Sequence, residues 1–149
     1  MSLLDTLQKD MISAMKARDK EKLSTVRMLK AAATNKRIDL GHDLTPDDEV
    51  SVLSHELKQR KDSLAEYKAA DRPDTVAQLE NEIKIVKTYL PAQLSVAEIK
   101  QIVVDTINKV HAQSPSDFGK VMGAVMSKVK GQADGKLVNT TVKECLQNN

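Results

Sequence analysis

Four times in this chain a hydroxyl side chain stands three residues ahead of a carboxylate, just before apolar residues recurring at helical spacing. The pairs are Ser2 and Asp5, Thr45 and Asp48, Ser95 and Glu98, and Ser114 and Asp117. Such a pair is a helix start signal, because the hydroxyl accepts from an otherwise unpaired amide of the first turn while the acid reaches back to the capping residue. Pro46 and Pro115 strengthen two of the four, since proline suits the first helical position. A chain punctuated in this way is committed to helices before its core is considered.

The stripes behind these signals define the helices. Leu4, Leu7, Met11 and Met15 predict a first helix over Leu3 to Ala17, and Asp19 caps a second whose buried face is Leu23, Val26, Leu29 and Ala33, ending before Gly41. The third helix carries Val50, Leu53, Leu57, Leu64 and Tyr67, with Arg60 interrupting the stripe. Arg60 and Lys61, followed by Asp62, read either as a buried charge network or, by preference, as a long side chain snorkelling outward. The turn at Asp71, Arg72 and Pro73 closes it, because a residue before proline is pushed out of helical geometry. Val76, Leu79, Ile83, Val86 and Leu90 form an a/d series that Pro91 stops. After Ser95 come Ile99, Ile102, Val103, Ile107 and Val110. No strand-like alternation or fixed-period repeat is present, so the expectation is an all-α protein with a four-helix region at 1–90, a hinge at 91–94 and a three-helix domain at 95–149.

Composition agrees. The chain has 149 residues, 40% of them hydrophobic, with one Phe, two Tyr and no Trp. Its core must be built from Leu, Ile, Val, Met and Ala, a set that suits helix packing better than sheets. The single cysteine excludes an internal disulfide, and with no apolar leader after Met1 the expected compartment is the cytoplasm. The longest apolar runs fall far short of the ~20 residues a membrane-spanning helix requires, so no membrane partner is expected.

Charge directs attention to the C-terminal third. Residues 1–90 carry sixteen basic and sixteen acidic side chains, so the net charge of +2 resides in the remainder, seven basic against five acidic. Within the balanced part, Lys16 to Arg37 holds eight basic residues against Asp19 and Glu21 and offers a second basic surface. From Lys120 to Lys143 the count is Lys120, Lys128, Lys130, Lys136 and Lys143 against Asp134 alone. Phe118, Val121, Met122, Val125 and Val129 should face a core, leaving the lysines outside. Gly131 follows where a helix C-cap favours a left-handed residue, and Asp134 caps a last helix that buries Val138, Val142 and Cys145, widened by Leu137 and Leu146. Gly123 costs ~1 kcal/mol relative to alanine inside a helix. Close packing of another helix explains it; an approaching RNA backbone is the sharper alternative. The lysines read either as an ordinary solvated face or as an anion-binding surface.

The segment GKVMGAVMSKVKGQADGKLVN, from Gly119 to Asn139, resembles the C-terminal signature of the GatB/YqeY family nearly position by position. ENEIKIVKTYLPAQLSVAEI (Glu80 to Ile99), RMLKAAATNKRID (Arg27 to Asp39) and SHELKQRKDSLAEY (Ser54 to Tyr67) are similar to family stretches too, so the resemblance covers essentially the whole chain. Departures are Phe118 in place of methionine, Ser127 in place of proline, and Gln132 in place of a basic residue. In that family the same helical module forms the tail of the B subunit of the glutamine-dependent aminoacyl-tRNA amidotransferase, where it helps hold the tRNA. The resemblance therefore implies a stand-alone, YqeY-like accessory protein that binds tRNA or another structured RNA, in company with a tRNA-modifying or aminoacylation enzyme. It also implies a carbon-nitrogen ligase label with glutamine as amide donor, although the catalytic domains of such an enzyme have no counterpart here.

On that reading Lys120, Lys128, Lys130, Lys136 and Lys143 contact phosphate, while Gly131 and Asn139 set close approach and orientation. The rival is a protein-interaction adaptor whose N-terminal helices offer a groove to an amphipathic partner helix, a role that exposed methionines such as Met126 would suit. No catalytic residue, metal or cofactor is assigned. His42, His55 and His111 lack the close companions of a zinc site, Cys145 sits on a core face, and Asp47, Asp48 and Glu49 complement a helix dipole. No phosphate-cradling glycine loop or nucleophile elbow occurs.

Overall fold

The structure, a computed structural model, describes residues 1–148. Among them it contains seven α-helices and one short 3-10 turn: α1 (Leu3–Ala17), α2 (Lys20–Leu40), α3 (Pro46–Ala69), α4 (Pro73–Tyr89), α5 (Val96–Val110), the turn Pro115–Asp117, α6 (Phe118–Val129) and α7 (Gly135–Gln147). The protein is all-α. The start signals act as the spacing predicts. Ser2, Thr45 and Ser95 accept from the amides of Asp5, Asp48 and Glu98, whose carboxylates return to the capping amides. Asp117 instead accepts from the backbone of Gln113 (3.0 Å) and Ser114 (3.4 Å), holding the turn that leads into α6.

The chain divides into two compact units, Met1–Pro91 and Ala92–Asn149. In the first, α1 and α2 form one antiparallel hairpin and α3 and α4 another, with α2 packed on both α3 and α4. Leu7, Val26, Leu29 and Val86 are fully buried at its centre. The first helix turns its face slightly from the expected register: Leu3, Leu7 and Ala14 are buried, whereas Met15 is 51% exposed. Ala14 is buried one turn before the left-handed Arg18 that begins the reversal, and its carbonyl accepts from the Arg18 amide. On α3, Val52 joins Leu53 and Leu57 in the core, while Tyr67, near the helix end, is exposed.

Arg60 does not snorkel. It is 5% exposed, donates from Nη1 to Glu56 Oε2 at 2.8 Å, and its Nε lies 4.0 Å from Glu82 Oε1 on α4. Two carboxylates, both themselves well covered, compensate the guanidinium where three helices meet, so burial costs less than the stripe alone implies. Tyr89 donates its hydroxyl to Asp10 at 2.5 Å, tying α4 to α1, and burial, reinforced by this bond, raises its pKa above the ordinary phenol value.

In the second unit α5, α6 and α7 pack pairwise around one core that includes Ile99, Val103, Val121, Val125, Val129, Val138 and Val142. Leu146, not Cys145, completes the α7 stripe: Leu146 is 2% exposed and Cys145 only partly buried. By spacing both positions fall near the buried face, Cys145 about 20° from Val138 and Leu146 about 40° from Val142, so their different burial comes from the neighbouring helices and not from the periodicity. No helix among the described residues is long and apolar enough to cross a membrane.

Candidate nucleic-acid interface

Helix α6 turns Val121, Val125 and Val129 inward with no exposed surface, and this fixes where its other residues point. Positions 119, 123 and 127 lie opposite, one turn apart, so Gly119, Gly123 and Ser127 form a row on the outer face, all exposed. A methyl group added to Gly119 or Gly123 would meet nothing within 4 Å. The close helix packing expected at Gly123 is therefore absent. Two glycines are carried in a twelve-residue helix at a cost of ~1 kcal/mol each with no internal contact to account for them.

Lysines lie to one side of this row. Lys120 donates to the carbonyl of Val110 at 3.0 Å, satisfying an acceptor at the C-terminal end of α5, where the helix dipole favours a cation. Lys128 donates to Thr106 Oγ1 at 3.1 Å. Both therefore lie along the α5 side of α6. Lys136 and Lys143 are seven residues apart, sharing one ridge of α7 with the half-buried Asn139 between them. Lys143 Nζ stands 5.7 Å from the centre of the Phe118 ring. The five lysines thus form two ridges, joined at the corner between α6 and α7 by Lys130, and not a single cluster.

That corner differs from a helix C-cap. Lys130 is extended (φ −51°, ψ 121°), Gly131 has φ +75°, and the amide of Gln132 donates to Val129 O at 2.8 Å. These are the angles and hydrogen bond of a type II turn, whose third position requires the left-handed region that glycine supplies. The sequence located the left-handed residue correctly and assigned it to the wrong motif. The turn is also held from outside: Gly131 O accepts from Gln93 Nε2 and Gln132 O from the amide of Leu94, each at 2.8 Å. Asp134 then caps α7 by accepting from the Lys136 amide at 3.0 Å.

Met126 is half-buried and packs against the core, so it cannot supply the exposed methionine of an adaptor groove. Two features escaped the sequence reading. The outward row of Gly119, Gly123 and Ser127 was visible as small residues four apart, and the Phe118–Lys143 pairing was hinted at only by Phe118 being the sole phenylalanine.

Comparison with known proteins places the chain. A family model described as Yqey-like protein matches residues 4–146. The chain belongs to the YqeY-like family. It is 38% identical over 114 residues to altered inheritance of mitochondria protein 41 of Lachancea thermotolerans, covering 74% of this chain and 60% of that protein. It is 27% identical over 146 residues to the protein of that name from Pyrenophora tritici-repentis, covering 95% and 80%. A third relative is a Glutamyl-tRNA(Gln) amidotransferase subunit from Methanococcus maripaludis, 31% identical over 121 residues, or 75% of this YqeY-like chain and 18% of that protein. The chain thus spans less than two thirds of the first of these relatives. Several relatives are named as mitochondrial, which overturns the expected cytoplasmic location. A lone thiol is compatible with either compartment, so it carried no discriminating weight.

Proposed function

We propose that this protein is an accessory factor that binds tRNA, or RNA of similar shape, through α6, α7 and the turn between them. The observation that carries the reading is the open row Gly119, Gly123 and Ser127, with Lys120 and Lys128 along its α5 side: a strip without side-chain bulk, with cations on one side, is what a phosphate backbone needs for close approach. Lys130, Lys136 and Lys143 extend the positive surface around the turn, and Asn139 and Gly131 set its contour. The similarity to an amidotransferase component named for Glutamyl-tRNA(Gln) supports tRNA as the RNA, and a tRNA-modifying or aminoacylation enzyme as the partner. Recognition by shape follows from the near absence of aromatics and the dominance of lysine. Amide transfer itself is assigned to such a partner enzyme.

The test is fluorescence anisotropy of labelled total tRNA titrated with wild type and with Lys128→Ala/Lys130→Ala/Lys136→Ala across a salt series, with thermal unfolding as the control for folding. Binding that weakens with salt and is lost in the folded triple variant is the expected result. Absence of tRNA binding, or binding indifferent to these lysines, would overturn the reading. Salt-insensitive capture of a protein partner would favour the adaptor instead, for which Ile12 and Met15 on the outside of α1 are the available apolar surface.

A further inference from the structure

A recess lies beside the lysine ridges, at the start of α6 and the end of α7. It has a volume of about 210 Å³ and is lined by Pro115, Phe118, Lys143, Leu146 and Gln147. Its chemistry is mixed in a particular way. Phe118 contributes an aromatic ring that is only partly buried, Pro115 and Leu146 are apolar walls, Gln147 brings an amide able both to donate and to accept, and the Lys143 ammonium stands over the ring, 5.7 Å from its centre, so a flat group that stacks there takes the place of the ammonium. The recess is smaller than the ~300–1,000 Å³ of sites that enclose a whole drug-sized ligand, so it admits a planar ring and leaves the rest of a larger molecule outside.

We infer that this recess takes one unpaired nucleobase of the bound RNA, stacked on Phe118, with Lys143 meeting the phosphate of the same or the adjoining nucleotide. The inference rests on the RNA-binding reading and deepens it. A nucleotide presents a flat π-face, a hydrogen-bonding edge and an anion, and the lining of the recess includes a ring, an amide and a cation. The charge selects this occupant over an apolar side chain: a lysine at the mouth of an apolar slot gains from an anionic ligand and gains nothing from an aliphatic one. Lys143 lies on the same ridge as Lys136, so a backbone that follows the ridge along α7 passes the recess. Shape recognition by the lysines and capture of a single splayed base are then complementary: the first sets affinity, and the second sets register along the RNA.

Phe118→Leu separates the two, because it keeps apolar volume and removes the ring. Stacking on an aromatic side chain accounts for ~1–3 kcal/mol per base, so tRNA affinity in the anisotropy assay should fall by roughly tenfold with an unchanged salt slope. A lysine loss, by contrast, lowers the slope. The ring signals of Phe118, which are unambiguous because it is the only phenylalanine, should shift when wild type is titrated with tRNA and, more weakly, with adenosine monophosphate. Should Phe118→Leu prove too unstable to assay, the ring shifts on the wild-type protein decide alone. Lysine-dependent tRNA binding with the Phe118 ring signals unmoved, or with full affinity retained in Phe118→Leu, overturns the base pocket and leaves the RNA reading intact. No tRNA binding by wild type overturns both.

Discussion

Lys128 donates from Nζ to Thr106 Oγ1 across 3.1 Å, and the same Thr106 hydroxyl donates to the carbonyl of Ile102 at 2.7 Å. Thr106 is fully buried, so the donor to its hydroxyl oxygen is supplied by a side chain that is itself exposed to solvent. A lysine on the proposed RNA surface is thereby tied to the packing of α5. Lys128→Met, which keeps the aliphatic stem, should lower stability by ~1 kcal/mol through the lost donor to Thr106 Oγ1, and should reduce the salt slope of tRNA binding by roughly 0.7–0.9. Urea unfolding and the salt titration measure the two effects separately.

Gly123 should behave in opposite ways in the two assays. Nothing lies within 4 Å of an added Cβ, so Gly123→Ala should stabilise α6 by ~1 kcal/mol. The same methyl group stands on the surface proposed to meet the RNA backbone, and tRNA affinity should fall several-fold. A stabilised variant with wild-type affinity would show that the backbone does not approach at Gly123.

Arg60 should be indispensable singly and replaceable as a group. Removing it leaves Glu56 and Glu82 covered and facing each other without a cation, so Arg60→Ala should cost ~3–5 kcal/mol, read by hydrogen exchange on α3 and α4. The combined change Arg60→Met/Glu56→Leu/Glu82→Leu should restore stability to near that of wild type, because it removes the buried charges together. Arg60 Nε finds no hydrogen-bond partner among the described residues, which further favours the apolar replacement.

The capping carboxylates set an acid limit. Hydrogen bonds from the Ser2 hydroxyl and amide hold Asp5 below its ordinary 3.8, those from the Thr45 amide and hydroxyl do the same for Asp48, and the Gln113 amide leads the lowering of Asp117. Each group binds a proton more readily in the unfolded chain, so its contribution is complete above about pH 4 and is lost as pH falls through the depressed folded values. Asp5→Asn/Asp48→Asn/Asp117→Asn should therefore flatten the decline of the urea midpoint below about pH 4 and leave its slope at neutral pH unchanged.

Much of this architecture is legible in the chain because helix starts are local events. A hydroxyl, an acid three residues on and a proline at the first position act within one turn, so the starts at Ser2, Thr45 and Ser95 needed no knowledge of the rest of the molecule. Periodicity likewise located the valines of α6 and the Ile83 and Val86 pair of α4. Family membership followed from the segment between Gly119 and Asn139, where the order of small, apolar and basic residues is distinctive.

What the sequence determined by itself is where helices begin, which broad stripe each one buries, and where positive charge accumulates. Tertiary structure alone decided which neighbour each stripe meets. Whether Arg60 points outward or inward depends on Glu82, twenty-two residues away on α4. Whether Gly123 answers to a packed helix depends on an empty space that no spacing records. Whether five lysines make one surface or two ridges depends on the separate partners of Lys128 and Lys143, Thr106 on α5 and the ring of Phe118. Local hydrogen bonding is encoded within a few residues, whereas burial and charge compensation are properties of helices that meet only once the chain has folded.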